Sequence, residues 1–167
     1  MRDRLPQGRV QPIILHPDPV LTSRCAPAGY LNGPELYQLA ADLLATMYAA
    51  EGRGLAAPQI GILRRIFVMD ASWKTGTPEP LVLVDPEIIA RNGPIETVEE
   101  RCLSIPDQPV SVARASQIEM QWFDLTGHAQ FRKMAGDLAR IAQHEADHLD
   151  GKLIVDDPQL AATAGRE

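Results

Sequence analysis

Residues 143–151 read QHEADHLDG, and the H-E-x-x-H pattern inside them, His144-Glu145-Ala146-Asp147-His148, decides how the rest of the chain is read. Histidines four apart stack on one face of a helix, where both imidazoles can reach a single cation. The plainer alternative is a pair of solvated surface histidines. Against it, the helical period continues on both sides: Leu138, Ile141, Ala142, Glu145 and Leu149 share a face with His144 and His148. Asp137 is placed to cap the start of this helix and Gly151 to end it. The spacing therefore predicts a helix from Gly136 to Asp150 that carries a metal site on its buried face.

Two imidazoles do not complete such a site, because a catalytic centre keeps three protein ligands and one open position. Zinc endopeptidases with this motif draw the third ligand from well downstream. Here only residues 149–167 follow His148, with no histidine among them and Glu167 as the one glutamate. The donor is expected upstream, and Cys102 in ERCLSIP is the strongest candidate as a soft thiolate. From spacing alone, Cys102 is as readily a buried core thiol as a ligand.

Upstream, PELYQLAADLLATMYAA (34–50) places Leu36, Leu39, Ala40, Leu43, Leu44 and Met47 at helical spacing, with Pro34 suited to the first turn. A glycine-rich stretch, EGRGLAAPQIG, follows, and then RRIFVMD and PLVLVDPEIIA, whose aliphatic and β-branched runs read as strands. PIETVEERCLSIP continues the sheet. In SQIEMQWFD, Ile118, Met120 and Trp122 occupy every second position, and DLTG turns the chain into HAQFRKM, so a hairpin with one buried face is expected. The fold class is α+β: antiparallel sheets packed around a central helix carrying H-E-x-x-H.

The 167 residues suit one domain (1–167), with a short flexible tail over about 157–167, DPQLAATAGRE, that has little to pack. A formal charge of -6 argues against direct nucleic-acid binding, which needs clustered Lys and Arg. No apolar run approaches the roughly 18 residues of a membrane span. The start, MRDRLPQGRVQPIILHPDP, lacks the features of a signal peptide, so a cytoplasmic location without membrane contact is expected. Cys25 and Cys102 are not expected to form a disulfide there.

Three segments in order, GRGLAAPQIG (52–61), ERCLSIP (100–106) and QHEADHLDG (143–151), resemble the three signature motifs of peptide deformylases. These enzymes remove the N-terminal formyl group from nascent bacterial proteins. The similarity runs from HPDPVLTSRCAPAG through HLDGKL, over most of the chain. It implies Cys102, His144 and His148 as ligands of one divalent metal ion, iron(II) in the cell, with zinc, nickel or cobalt able to stand in. It implies Glu145 as general acid and base, and Gln59 with the backbone N–H of Leu103 as donors to the formyl oxygen. On its own, Gln59 reads equally as a loop side chain bonding its own backbone. The resemblance also pairs Asp147 with Arg114, holding the helix against the sheet, where the plain reading is solvated surface charge.

The implied substrate is an N-formylated peptide bound as an added strand, with Gly54, Arg53 and Arg101 beside it. Two of these depart from the family pattern: Arg53 replaces an aliphatic residue, and Arg101 replaces the glycine of E-G-C-L-S. Added positive charge could obstruct the cleft or recruit an acidic or small formylated substrate, and arginine could strain a backbone shaped for glycine. Otherwise both side chains simply face solvent. The alternatives to deformylation are such an altered substrate, a non-catalytic binding role, or peptide-bond cleavage, which the missing downstream ligand disfavours. Family members with a long basic C-terminal helix use it to contact the ribosome; the acidic, alanine-rich tail here predicts no ribosome contact by that route.

Overall fold

The computed structural model describes residues 5–29, 31 and 33–156, and the tail expected over 157–167 lies outside the described residues. Helix α1 spans Gly33–Ala49, strands β1 Gly54–Ala56, β2 Ile66–Met69, β3 Leu81–Cys102, β4 Ile105–Phe123 and β5 Ala129–Ala135, and helix α2 Gly136–Leu149. The strands form one antiparallel sheet in the order β1-β2-β3-β4-β5, where separate sheets were expected.

Strand β2 shows why this sequence makes an α+β layer. All four of its residues are buried, because helices cover both faces. Ile66 and Val68 meet Leu36, Ala40, Leu43, Leu44 and Met47 of α1, together with Leu55 and Val84. Phe67 and Met69 point the other way, into a core with Ile118, Met120 and Trp122 of β4 and Ala139, Ala142 and Leu149 of α2. The alternation read in SQIEMQWF is thus the face of β4 that receives the metal-bearing helix. The turn after β4 is built by Asp124, whose Oδ1 accepts from the N–H groups of Thr126 and His128.

The runs read as separate strands on either side of Asn92-Gly93-Pro94 are one strand of 22 residues, paired with one of 19. Such lengths are accommodated by irregularities in register, at Val84/Glu87, Ile88/Ala90, Asn92/Ile95 and Glu100/Cys102. The last of these is written in Pro106-Asp107-Gln108-Pro109. Two prolines cannot donate to the ladder, and Asp107 has φ 63°, so the segment bulges out where β3 and β4 meet. Leu103 and Ser104 then form the turn that joins Cys102 to Ile105.

At the end of α2, Gly151 (φ 74°) follows Asp150, with its N–H on the His148 carbonyl and that of Lys152 on the Asp147 carbonyl. A Cβ on Gly151 would lie 2.5 Å from the Thr22 carbonyl oxygen, so the glycine also permits a close approach. The start of α2 departs from expectation: Ala135 occupies the cap position, with no side-chain cap, and Asp137 lies inside the first turn. Its carboxylate still favours the positive end of the helix but is drawn to Arg53. Both cysteines are free thiols, and no helix among the described residues is long and apolar enough to cross a membrane.

Candidate metal centre and active site

Strand alternation puts Glu100 and Cys102 on the same face of β3, both buried, and turns exposed Arg101 to the other. Helical spacing brings His144 and His148 to meet them, with ring centroids 5.0 Å apart. The donor atoms of Cys102, His144 and His148 lie within 4.8 Å of one another, and Cys102 Sγ is 3.4 Å from His148 Nε2. Both readings of Cys102 find support: it is buried in an apolar cluster with Leu21, Ile105 and Val112, and its sulfur faces the two imidazoles.

Glu100 was not singled out from sequence, yet it is the hub of the site. Its Oε1 accepts from His144 Nδ1 and Arg114 Nη2, each at 2.9 Å. Its Oε2 accepts from Arg114 Nε and Arg140 Nη1, each at 2.6 Å. Arg114 also donates to Asp147 Oδ2 at 2.9 Å, so the expected Arg114–Asp147 pair is one arm of a larger network linking β3, β4 and α2. Burial works against the Glu100 carboxylate, but the hydrogen bonds from His144 and Arg114 outweigh it and hold its pKa at about 2. Because Nδ1 of His144 is committed to Glu100, Nε2 is the nitrogen left for a ligand.

Two electrostatic features fit a divalent cation. Burial, then His144 and Arg114, push His148 well below its ordinary value, leaving the neutral imidazole that ligation requires. Burial also opposes charge on His144, yet Cys102, Glu100 and Glu145 around it raise its pKa to about 10, so positive charge is favoured there and a bound metal would have to displace the proton on that ring. One cysteine sulfur and two imidazoles, buried and convergent, suit a four-coordinate metal with a position left open, and the residues present fit one such ion.

Glu145 is 4% exposed, its Oε2 has no hydrogen-bond partner, and burial pushes its carboxyl up to about 7. Gly54 explains how the chain reaches it. A Cβ there would lie 2.9 Å from Glu145 Oε1 and 3.0 Å from Ile141 Cγ2, so only glycine lets β1 close onto α2. Gln59, in the turn Ala57–Ile60, bonds nearby backbone, as the plainer reading expects, and also reaches the cysteine of the cluster. Its Oε1 accepts from Ala56 N–H at 2.9 Å, which aims Nε2 at Ser104 Oγ (3.1 Å) and Cys102 Sγ (3.7 Å). The N–H of Leu103, one residue past Cys102, makes no hydrogen bond among the described residues.

These groups line a cavity of about 500 Å³ that also holds Arg53, Arg101, Val98 and Ile141. Arg53 Nη1 lies 3.3 Å from Asp137 Oδ2, while Arg101 makes no ion pair among the described residues. Neither arginine has a positive φ, so the backbone strain feared for them is absent. Glu51, Glu99 and Asp107 share the same lining, so the arginines do not make the cavity cationic, and nothing favours an acidic substrate. Arg140 and Ser104 were missed in the sequence; both act through contacts far along the chain.

A family model, polypeptide deformylase, matches residues 10–162. Among curated relatives, a peptide deformylase of Acidobacterium capsulatum is 44% identical over 148 residues, 87% of this chain and 85% of that one. Another, from Synechococcus sp. (strain RCC307), is 45% identical over 122 residues, 73% of this chain. The chain spans only 61% of that relative's length. A Met-ala-ser bound crystal structure of class I type b peptide deformylase from Acinetobacter baumannii superposes with a TM-score of 0.82 at 34% identity, covering 89% of this chain and 99% of that one. With the family model, the relatives and the fold all agreeing, the chain belongs to the polypeptide deformylase family.

Proposed function

We propose that the protein is a metal-dependent hydrolase that removes the N-formyl group from formyl-methionyl peptides of nascent proteins. The observation that carries this reading is one cavity lined by Cys102, His144, the buried Glu145 carboxyl and the Gln59 amide, with buried His148 completing the cluster beside Cys102. A divalent ion bound by that cluster supplies Lewis acidity, which brings the pKa of a coordinated water towards neutrality.

The chain's own residues do the rest. Water adds to the formyl carbon; the C–N bond breaks, giving formate and a free amine. Glu145, with Oε2 unpartnered and its pKa near neutral, takes the proton of the attacking water and returns it to the departing nitrogen. Gln59 Nε2 and the Leu103 N–H donate to the oxyanion; one such donor typically contributes about 3 kcal/mol. The edge of β1 at Gly54, without a ladder partner on its outer side, receives the peptide backbone with Arg53 and Arg101 flanking the cavity, and Val98 and Ile141 give an apolar wall for a methionyl side chain.

Iron(II) is the ion proposed for the cell, and zinc, nickel or cobalt would satisfy the same donors. A nascent-chain substrate puts this work in the cytoplasm. Contacts with nucleic acid, membrane or ribosome form no part of the proposal, in keeping with a formal charge of -6. The test is formate release from formyl-Met-Ala-Ser by anaerobically prepared protein loaded with iron(II), nickel or zinc. Glu145→Ala should lower turnover by about 100-fold or more while the protein still binds metal. Loaded protein that releases no formate, or that instead produces new internal peptide termini, would refute the reading.

A further inference from the structure

The stretch Gly52-Arg53-Gly54 touches both ends of the reaction centre. A Cβ on Gly52 would come 2.7 Å from Leu103 Cδ1, and one on Gly54 would come 2.9 Å from Glu145 Oε1. The close approach has a consequence for stiffness. Two glycines offer no side chains to hold this backbone, and β1 is an edge strand with a ladder partner on one side only.

What holds it from outside is Trp73. Its indole N–H donates to the Gly52 carbonyl at 2.9 Å. The half-buried ring stands edge-on to Tyr48, with centroids 5.3 Å apart and planes at 87°. Tyr48 OH donates to Asp70 Oδ2 at 2.6 Å, and fully buried Asp70 accepts through Oδ1 from the N–H groups of Ser72 (3.3 Å) and Glu79 (3.0 Å). That carboxylate ties down both ends of the segment carrying Trp73. Its own N–H bonds the Arg53 carbonyl at 2.9 Å, one residue after the carbonyl that Trp73 holds. Two successive carbonyls of the stretch are therefore fastened, one by the backbone ladder and one by a side chain that is itself braced.

We propose that Trp73 is a positioning residue for deformylation: through the Gly52 carbonyl it keeps the 52–54 backbone seated against Leu103 and Glu145. The inference rests on the activity proposed above. It acts through other groups on a stretch that abuts Leu103 and Glu145 and whose edge at Gly54 receives the peptide, so its loss should lower kcat by more than it raises KM.

The test is Trp73→Phe, which keeps an aromatic ring against Tyr48 and deletes only the N–H. Three measurements are made on the full chain: amide hydrogen exchange of peptides covering residues 51–55, kcat and KM for formyl-Met-Ala-Ser, and thermal unfolding with bound metal quantified. The expected result is faster exchange over 51–55 with the β3–β4 peptides unchanged, a fall in kcat of about threefold to tenfold, and a KM within about twofold of wild type. Unchanged exchange over 51–55, an unchanged kcat, or a defect confined to KM would overturn the proposal. So would a variant that fails to fold, since Trp73 would then be a core residue. If wild-type protein releases no formate, the proposed activity fails by itself, and the exchange data still decide whether Trp73 holds the stretch.

Discussion

Replacing Glu100 with Gln keeps the shape of the hub and removes its charge, and the structure sets the size of the consequence. The carboxylate accepts four N–H bonds, from Arg114 twice, Arg140 and His144, and its pKa is lowered from 4.5 to about 2. That difference corresponds to about 3 kcal/mol of preference for the ionised form in the folded chain. A glutamine can accept at one atom only and turns an amide N–H towards the guanidinium groups, so buried Arg114 keeps only the partly exposed Asp147 as a charged partner; losing one partner of a buried pair costs about 3–5 kcal/mol.

For a chain of this size, that loss should lower the melting temperature by about 6–20 °C at pH 7. The pH dependence has a definite sign. A lowered carboxyl pKa contributes stability that is present above 4.5 and lost as the pH falls through about 2, so wild type should lose its advantage over Glu100→Gln within that window. His144 also loses the acceptor that fixes its tautomer, and affinity for zinc in a chelator competition should fall by about 10- to 100-fold. A variant that melts within about 1 °C of wild type at pH 7, or binds zinc within about twofold of it, would show that the network does not orient the ligand.

Gly54→Ala should leave metal binding intact and cut formate release by about tenfold or more, because the new methyl group displaces Glu145 Oε1 from 2.9 Å away; equal turnover would show that this contact yields freely. Arg53→Val breaks an ion pair whose side chains are 41% and 75% exposed, so urea unfolding should change by no more than about 0.5 kcal/mol. The same variant, combined with Arg101→Gly, should leave the ratio of turnover on formyl-Met-Ala-Ser to turnover on an acidic formyl-peptide within about threefold of wild type; a larger shift would restore the arginines as selectors.

Local signals carried the two helices. Their apolar periods predicted α1 and α2 to within a residue at most ends, and His144 and His148 followed from spacing alone. Asp137 misled because the helix already begins at Gly136, which puts that carboxylate inside the first turn, where it meets Arg53 from 84 positions away. Cys102 needed the family resemblance, since nothing within ERCLSIP distinguishes a ligand from a core thiol. Glu100 was illegible for a related reason: one glutamate in PIETVEER looks like the others until the strand is placed, and its contact with His144 spans 44 positions. Trp73 likewise reads as a loop aromatic until Gly52 lies beneath it.

The position of Glu100 follows from the same alternation that turns Cys102 towards the histidines. Residues two apart on β3 share a face, so whichever register presents the thiol must also present the carboxylate, and a slip by one residue would bury Arg101 in place of both. Register is therefore under tight constraint here, yet the ladder is irregular immediately beyond Glu100. The network resolves the tension. Arg114 on β4 holds Glu100 across the hairpin and Asp147 on α2, so the charges fix strand to strand and sheet to helix at the point where backbone pairing gives out. The Pro106–Pro109 bulge can then leave the ladder and line the cavity without loosening the ligands. On this view the buried ion network is less a source of net stability than a substitute for missing ladder bonds, which is why its loss should show in metal affinity as well as in melting temperature.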